Sequence, residues 1–319
     1  MKRSALSSAI IIAAALWAIA AIALGVLLLT DYELPFDFYK PSETTSLPDK
    51  ITPKARIDVI DAGQGSSLSV KIYGNNTKSI LVDAGEEGES DSVLRALRSA
   101  DISSLDLMVI THPHTDHFGG AIEILQRLPV SEVWMPDVSL ELTPTNSTYQ
   151  KFLEALEKSG CRVLIKSVAE TVKLSDDASL SSLDGFVDAP KDLNDASLCL
   201  RIDIGETSFL ITGDGETAVE NTLLQNDSAV DADILIAGHH GSGTSSGHRF
   251  LNAVSPAASV ISVGQDNDYG HPDDDVYARL ASFGNVYRTD INGTVTFFTD
   301  GDQTAISAKN ISDLLDTGR

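Results

Sequence analysis

The sequence predicts an α/β fold in which two mixed sheets carry helices on their outer faces, and three observations lead there. From Arg56 onward short apolar runs alternate with helical patterns. Some strands come as hairpins, as at 67–73 and 79–82 around the turn Gly74-Asn75-Asn76. Elsewhere helices separate single strands, an order that fits two mixed sheets better than a doubly wound parallel one.

The chain begins with a different signal. Lys2 and Arg3 precede an uncharged stretch from Ser4 to Thr30, with its densest apolar part at 9–29. A bilayer is crossed by about 20 apolar residues, whereas a cleavable signal needs only about 7–15. Residues 1–30 therefore read as a single-pass membrane anchor. The small residues Ala21-Ile22-Ala23 leave a cleaved signal peptide, and so a secreted protein, as the alternative. Basic residues before the segment and Asp31, Glu33 and Asp37 after it place the N-terminus in the cytoplasm and the rest outside. Residues 31–54, with Pro35, Pro41, Pro48 and Pro53 among Ser, Thr and acids, read as an extracytoplasmic linker. Residues 55–319 remain for the folded domain.

Within that domain 56–60 alternates as a strand and turns at Asp61-Ala62-Gly63-Gln64-Gly65. Helical spacing follows at 92–100, and a buried strand at 105–110. Further helices are expected at 120–128, 147–158, 217–224, 250–254 and 274–283. Further strands are expected at 132–135, 162–165, 197–204, 208–212, 234–237, 259–263 and 294–298.

A chain of 319 residues with 42% hydrophobic content can bury a sizeable core. Its 46 acids against 23 bases give a formal charge of −23, which repels polyanions at long range. No broad basic surface is available, so a nucleic-acid substrate would need a local site. Cys161 and Cys199 show no metal spacing, and a disulfide between them is neither asserted nor excluded.

The segment Thr111-His112-Pro113-His114-Thr115-Asp116-His117-Phe118-Gly119-Gly120 follows the strand at 105–110 and opens a helix. Three imidazoles and a carboxylate this close together are hard to explain by packing. Neutral His is a frequent metal ligand, and such donors suit Zn²⁺ or a similar ion. In a loop at a strand end, residues two apart can converge on one ion while the next pair faces a second.

The pattern H-x-H-x-D-H-x-G-G resembles the signature of the metallo-β-lactamase superfamily, with no departure in this copy. Flanking motifs appear in order: Asp61-Ala62-Gly63-Gln64-Gly65, Leu81-Val82-Asp83-Ala84-Gly85, Asn194-Asp195-Ala196-Ser197-Leu198, Thr212-Gly213-Asp214, His239-His240-Gly241-Ser242, Tyr269-Gly270-His271-Pro272 and Tyr287-Arg288-Thr289-Asp290. The set is similar to the hydrolase domain of ComEC-type competence proteins and their free-standing relatives, over about residues 56–298. That resemblance implies a four-layer αββα sandwich with one or two divalent ions at the sheet edges.

It also implies ligands. His112 and His114 would bind the first ion, Asp116 and His117 the second, and Asp214 both. His239 is expected to complete the second site and leave His240 to contact substrate, although sequence alone leaves open which imidazole faces the ion. Many superfamily members have a His where this chain has Asp195. Either Asp195 joins the first site, making it richer in carboxylate and admitting Mn²⁺ beside Zn²⁺, or it stands behind the ligands. Ser66 replaces the acid usual after Gln-Gly, which places any contribution of that position in question. Asp61 and Asp83, at strand-to-turn junctions, are expected to orient ligands through hydrogen bonds, with plain turn capping as the alternative. His271 is expected to protonate a leaving group or hold an anionic oxygen, with a structural loop histidine as the alternative. His248 and Arg288 read as structural.

Water on such ions loses its proton near neutral pH, because its pKa falls from about 15.7 to about 7. The metal-bound hydroxide would attack, Asp116 and Asp214 would accept the proton by hydrogen bonding, and His271 or His240 would stabilise the leaving oxygen. This constellation accepts phosphodiesters, lactones, β-lactams and thioesters. The resemblance implies a phosphodiesterase or nuclease. A hydrolase of a small-molecule or cell-wall ester, and a non-catalytic surface binding module, are the alternatives. The implied partners are the membrane and a phosphodiester or nucleic-acid substrate, with no obligate protein partner evident. With one anchor and no multi-helix channel, DNA transport by this chain alone is not expected.

Overall fold

The computed structural model describes residues 52–309. The expected anchor at 1–30 and all but the end of the linker at 31–54 lie outside the described residues. Among the described residues no helix is long and apolar enough to cross a membrane.

Among the described residues, fifteen strands form two sheets. They are β1 (Ala55–Val59), β2 (Leu68–Ile72), β3 (Lys78–Val82), β4 (Leu105–Val109), β5 (Val130–Pro136), β6 (Arg162–Lys166), β7 (Glu170–Lys173), β8 (Ala178–Ser182), β9 (Leu200–Ile204), β10 (Thr207–Ile211), β11 (Ile234–Ile236), β12 (Ala258–Ile261), β13 (Asn285–Arg288), β14 (Val295–Thr299) and β15 (Thr304–Ser307). The first sheet has the order β15-β14-β1-β2-β3-β4-β5-β6, and the second β13-β12-β11-β10-β9-β8-β7. Both are mixed. Strands β3 to β6 run parallel, as do β10 to β13, while the remaining pairs are antiparallel.

The strands at the centre are apolar on successive residues because both faces of each sheet are covered. In β3, Ile80 and Val82 join the core between the sheets, while Leu81 faces the outer layer. In β10, Phe209 and Ile211 point inward and Leu210 outward. The inner core closes where Phe209 meets Phe297 edge to face, with ring centroids 5.4 Å apart. Outside the first sheet lie α1 (Ser90–Ser99), α2 (Thr115–Phe118), α3 (Ala121–Arg127) and α4 (Ser147–Ser159). Their Val93, Leu97, Phe118, Ile124 and Phe152 pack with Leu81 and Met108. Outside the second lie α5 (Thr217–Gln225), α6 (His248–Val254) and α7 (Asp274–Ala281). Val219, Leu223, Leu251, Val276 and Leu280 pack there with Leu210 and Leu235. The result is the expected four-layer αββα sandwich.

Four strands escaped the sequence reading. Strands β7, β8, β13 and β15 have short, serine- or charge-bearing sequences, and β7, β13 and β15 are edge strands. The strand expected from 197 starts only at Leu200, because Asn194–Ala196 forms a 3₁₀ turn and the chain straightens after it. There the Leu198 N–H donates to the Thr111 carbonyl at 2.8 Å, joining the two sheets at the rim. The carboxyl ends of β3, β4, β10, β11 and β12 carry the loops with the predicted site residues, as is usual for ligand sites on parallel strands.

Candidate metal centre

Asp83 leaves β3 with φ of +55°, and its carboxylate faces the loop after β4. Oδ1 accepts the Thr111 backbone N–H at 2.8 Å. Oδ2 accepts the Thr111 hydroxyl at 2.7 Å and lies 2.8 Å from His117 Nδ1. With the His117 Nδ1 proton held by Asp83, Nε2 is aimed into the cleft, where a cation would take the place of a second proton. The loop can lie so close because Gly120 has no Cβ; one placed there would stand 2.1 Å from the Ala84 carbonyl oxygen.

Among the described residues two groups of donor atoms result, each with its atoms within 4.8 Å of one another. The first is His112, His114 and Asp214; the second is Asp116, His117, Asp214 and His240. Asp214, at the end of β10, belongs to both. His112 Nε2 stands 2.9 Å from His114 Nδ1 and 3.7 Å from an Asp214 oxygen. His117 Nε2 lies 3.1 Å from Asp214 and 3.7 Å from Asp116. Both His112 and His117 are 0% exposed.

The geometry reverses the order expected of the histidine pair. His240, not His239, enters the second group. Its Nδ1 lies 2.8 Å from the Ser262 carbonyl, to which it donates, and its Nε2 stands 3.2 Å from Asp116 and 3.6 Å from Asp214. The reason is backbone conformation: His239, His240 and Gly241 have successive φ of +49°, +53° and +78°, which splay the two imidazoles apart. Left-handed non-glycine residues cost about 1–3 kcal/mol each and cluster at functional sites. A Cβ on Gly241 would meet Pro272 at 2.7 Å. His239 turns instead to Glu216 at 3.1 Å and Thr244 at 3.3 Å, with its Nε2 3.9 Å from Asp214.

Asp195 and Asp61 also fall elsewhere. Asp195 belongs to neither donor group; its Oδ2 accepts the Lys191 N–H at 3.0 Å and organises its own loop. Asp61 touches no ligand. Its N–H donates to Thr294, and its carboxyl sits in a separate polar hollow beside Glu89 and Asp290, where burial raises its pKa. Strand β2 lies between β1 and β3, so the end of β1 is set aside from the cluster. Ser66 serves through its backbone, donating its N–H to the Asp116 carbonyl at 3.1 Å. His248 is exposed at the start of α6, and Arg288 pairs with Asp290 at 2.6 Å.

The donors suit divalent cations. The His117 Nε2 is buried without a hydrogen-bond partner, an orphan that a cation would satisfy. Burial pushes the imidazoles of His112 and His114 below their ordinary pKa, toward the neutral form that binds metal. In Asp214 and Asp116 burial acts to raise the pKa, but the imidazoles of His117 and His240 outweigh it and keep both carboxyls ionised. In His117 burial opposes charge and is outweighed by Asp214 and Asp83, which raise its pKa.

Above these donors opens a cleft of about 330 Å³. His271 lines it, its backbone bracketed by Asn267, whose side chain accepts the His271 N–H at 2.8 Å and donates to its carbonyl at 2.7 Å. Glu86 and Tyr269 also line the cleft; sequence reading missed Glu86 and named Tyr269 only within its motif, without a role. Burial and the nearby Asp116 raise the Glu86 pKa. Nothing in its neighbourhood along the chain marks it, apart from its position just after Leu81-Val82-Asp83-Ala84-Gly85.

Residues 60–265 match the model of the metallo-beta-lactamase superfamily. The chain belongs to the metallo-beta-lactamase superfamily. Among its superfamily relatives it is 28% identical over 269 residues to ComE operon protein 3 of Bacillus subtilis, covering 77% of this chain and 33% of that protein. It is 29% identical to competence protein ComA of Neisseria gonorrhoeae, covering 76% and 32%. With recombination protein 2 of Haemophilus influenzae it shares 30% identity, covering 78% and 29%. This superfamily member thus spans about a third of the length of the curated relatives it matches. The similarity to the hydrolase domain of ComEC-type proteins accords with these matches.

Proposed function

We propose that this domain is a metal-dependent phosphodiesterase of the nuclease type, tethered outside the membrane by residues 1–30. The observation that carries the reading is Asp214, which is shared by two donor groups, so that two cations can sit side by side beneath one cleft. Divalent ions held there supply Lewis acidity and lower the pKa of water, chemistry suited to displacement at phosphorus. Zn²⁺ suits the imidazole-rich donor set, and Mn²⁺ the carboxylates shared with it.

The chain's own residues do the rest. Asp116 and Asp214, held ionised, accept hydrogen bonds from the attacking water and orient it. His240 has its Nδ1 proton engaged with Ser262, so His271 at the cleft wall is left to donate to the departing oxygen. Burial, then the charge of His239, lowers the His271 pKa, which leaves a neutral imidazole whose N–H stabilises the departing oxygen by a hydrogen bond without transferring its proton. The names of two relatives, a competence protein and a recombination protein, support a nucleic-acid substrate.

One observation favours a second reading, a small-molecule or cell-wall ester hydrolase: among the described residues no Lys or Arg lines the cleft. The experiment sets single-stranded DNA beside bis-p-nitrophenyl phosphate, with the protein loaded with Mn²⁺ or Zn²⁺. Hydrolysis of both supports the nuclease. Cleavage of the small diester alone leaves a phosphodiesterase of small substrates, and cleavage of neither by metal-loaded protein overturns the proposal. Fractionation of cells expressing the full chain checks the tether: release into the medium would refute it.

A further inference from the structure

We infer that Tyr269 is a stacking platform for the nucleobase adjoining the scissile phosphodiester, an inference that rests on the phosphodiesterase reading. The large exposed hydrophobic side chains among the described residues include Tyr269, 79% exposed, and it is the one of them that lines the cleft. Its ring lies nearly parallel to that of His271, at an interplanar angle of 15° and a centroid distance of 6.0 Å. That places it in the offset-stacked range, with the orientation of the ring set by its neighbour. The loop is braced from within: Asn267 bonds to the backbone of His271 on both sides and donates to the Gly264 carbonyl at 3.3 Å. A large aromatic face is thus held open to solvent beside the side chain expected to meet the leaving group.

The charge of the cleft says what this face is for. Nonspecific nucleic-acid binding ordinarily draws on Lys and Arg against phosphates. Among the described residues none of these lines the cleft, Glu86 and Asp116 do, and the chain carries −23 overall. Affinity for a nucleotide must then come from the metals at the phosphate and from the uncharged base. An aromatic ring offers the base a face without regard to sequence. Of two diesters that share a leaving group, the one whose retained group carries no base would forgo that contact.

The test uses two diesters with the same leaving group on the Mn²⁺-loaded full chain: thymidine 5′-p-nitrophenyl phosphate and methyl p-nitrophenyl phosphate. Wild type is expected to show the lower KM for the thymidine ester. Tyr269→Ala should raise the KM of the thymidine ester relative to that of the methyl ester by about 5- to 150-fold, the range of one base–aromatic stack, with little change in kcat. Tyr269→Phe should keep the wild-type ratio. A ratio unchanged in Tyr269→Ala overturns the platform. If neither ester is turned over, the phosphodiesterase reading falls, and equilibrium binding of thymidine 5′-monophosphate judges the platform separately. Binding lost in Tyr269→Ala and kept in Tyr269→Phe supports it; equal binding by all three proteins, or none by wild type, overturns it.

Discussion

Replacing Asp83 with Asn tests the ligand geometry without changing shape. Asn tolerates the left-handed φ of +55° that position 83 requires. The carboxylate now accepts from three groups: the Thr111 N–H on one oxygen, and the Thr111 hydroxyl and His117 Nδ1–H on the other. An amide has only one oxygen. If its NH₂ faces Thr111 N–H, two donors oppose each other in a site 1% exposed, and a buried unmet donor costs about 1–3 kcal/mol. If its NH₂ faces His117, relief comes from moving the imidazole proton to Nε2, the atom that must be bare to take a cation. Loss of an orienting partner of this kind typically weakens metal binding by about 10–100-fold. At about 1.4 kcal/mol per tenfold, the two routes to the magnitude agree. Calorimetric titration of Zn²⁺ or Mn²⁺ into metal-free protein reads the affinity, and denaturant unfolding of the metal-free variant reads the stability. Affinity within about twofold of wild type, alongside a loss of stability of about 1–3 kcal/mol, would refute the reasoning and reduce Asp83 to a loop brace.

Three further outcomes follow from the structure. His240→Ala is expected to lower the metal bound per chain, read by elemental analysis, while His239→Ala leaves it near wild type, since of these two histidines His240 alone joins the second donor group; equal losses would contradict the assignment. Glu220 accepts backbone N–H groups of Ser246 and Gly247, and burial raises its pKa above the ordinary 4.5. The folded state therefore holds this proton more tightly than the unfolded one, so its contribution is full below about 4.5 and is lost as pH rises through the folded value. Glu220→Gln should flatten that part of the stability–pH curve, and an unchanged slope would count against it. Cys161 and Cys199 are both free, and burial pushes the Cys199 thiol up to about 12. A thiol reagent at neutral pH should titrate Cys161 in the native protein and both after denaturation; fast labelling of Cys199 in the native state would be inconsistent with its burial.

The centre of the fold was legible because strands covered on two faces write apolar runs into the sequence, as in Leu107-Met108-Val109 of β4 and Phe209-Leu210-Ile211 of β10. The edge strands β7, β13 and β15 carry no such run and gain their order from neighbours far along the chain. The segment from His112 to His117 was legible for a similar reason: its donors lie close in sequence and have no core to fill. What escaped depended on dihedral angles or on distant contacts. Side-chain type cannot decide between His239 and His240, which differ in what two left-handed residues make of their directions. Asp195 and Asp61 match family motifs, yet a 3₁₀ turn and an intervening strand carry them away from the donors. Glu86 reaches the cleft from a loop that no local pattern marks, and Tyr269 stood in a quoted motif with nothing to show that its ring faces the cleft.

The donors come from both halves of the sandwich: His112, His114, Asp116 and His117 follow β4, whereas Asp214 and His240 follow strands of the opposite sheet. A cation bound among them would therefore act as a clasp between the halves. A ligand present at a hundred times its dissociation constant contributes about 2.7 kcal/mol to folding. Resistance of the domain to proteolysis should accordingly track the supply of the ion, so that a chelating environment would shorten the lifetime of the protein as well as silence it.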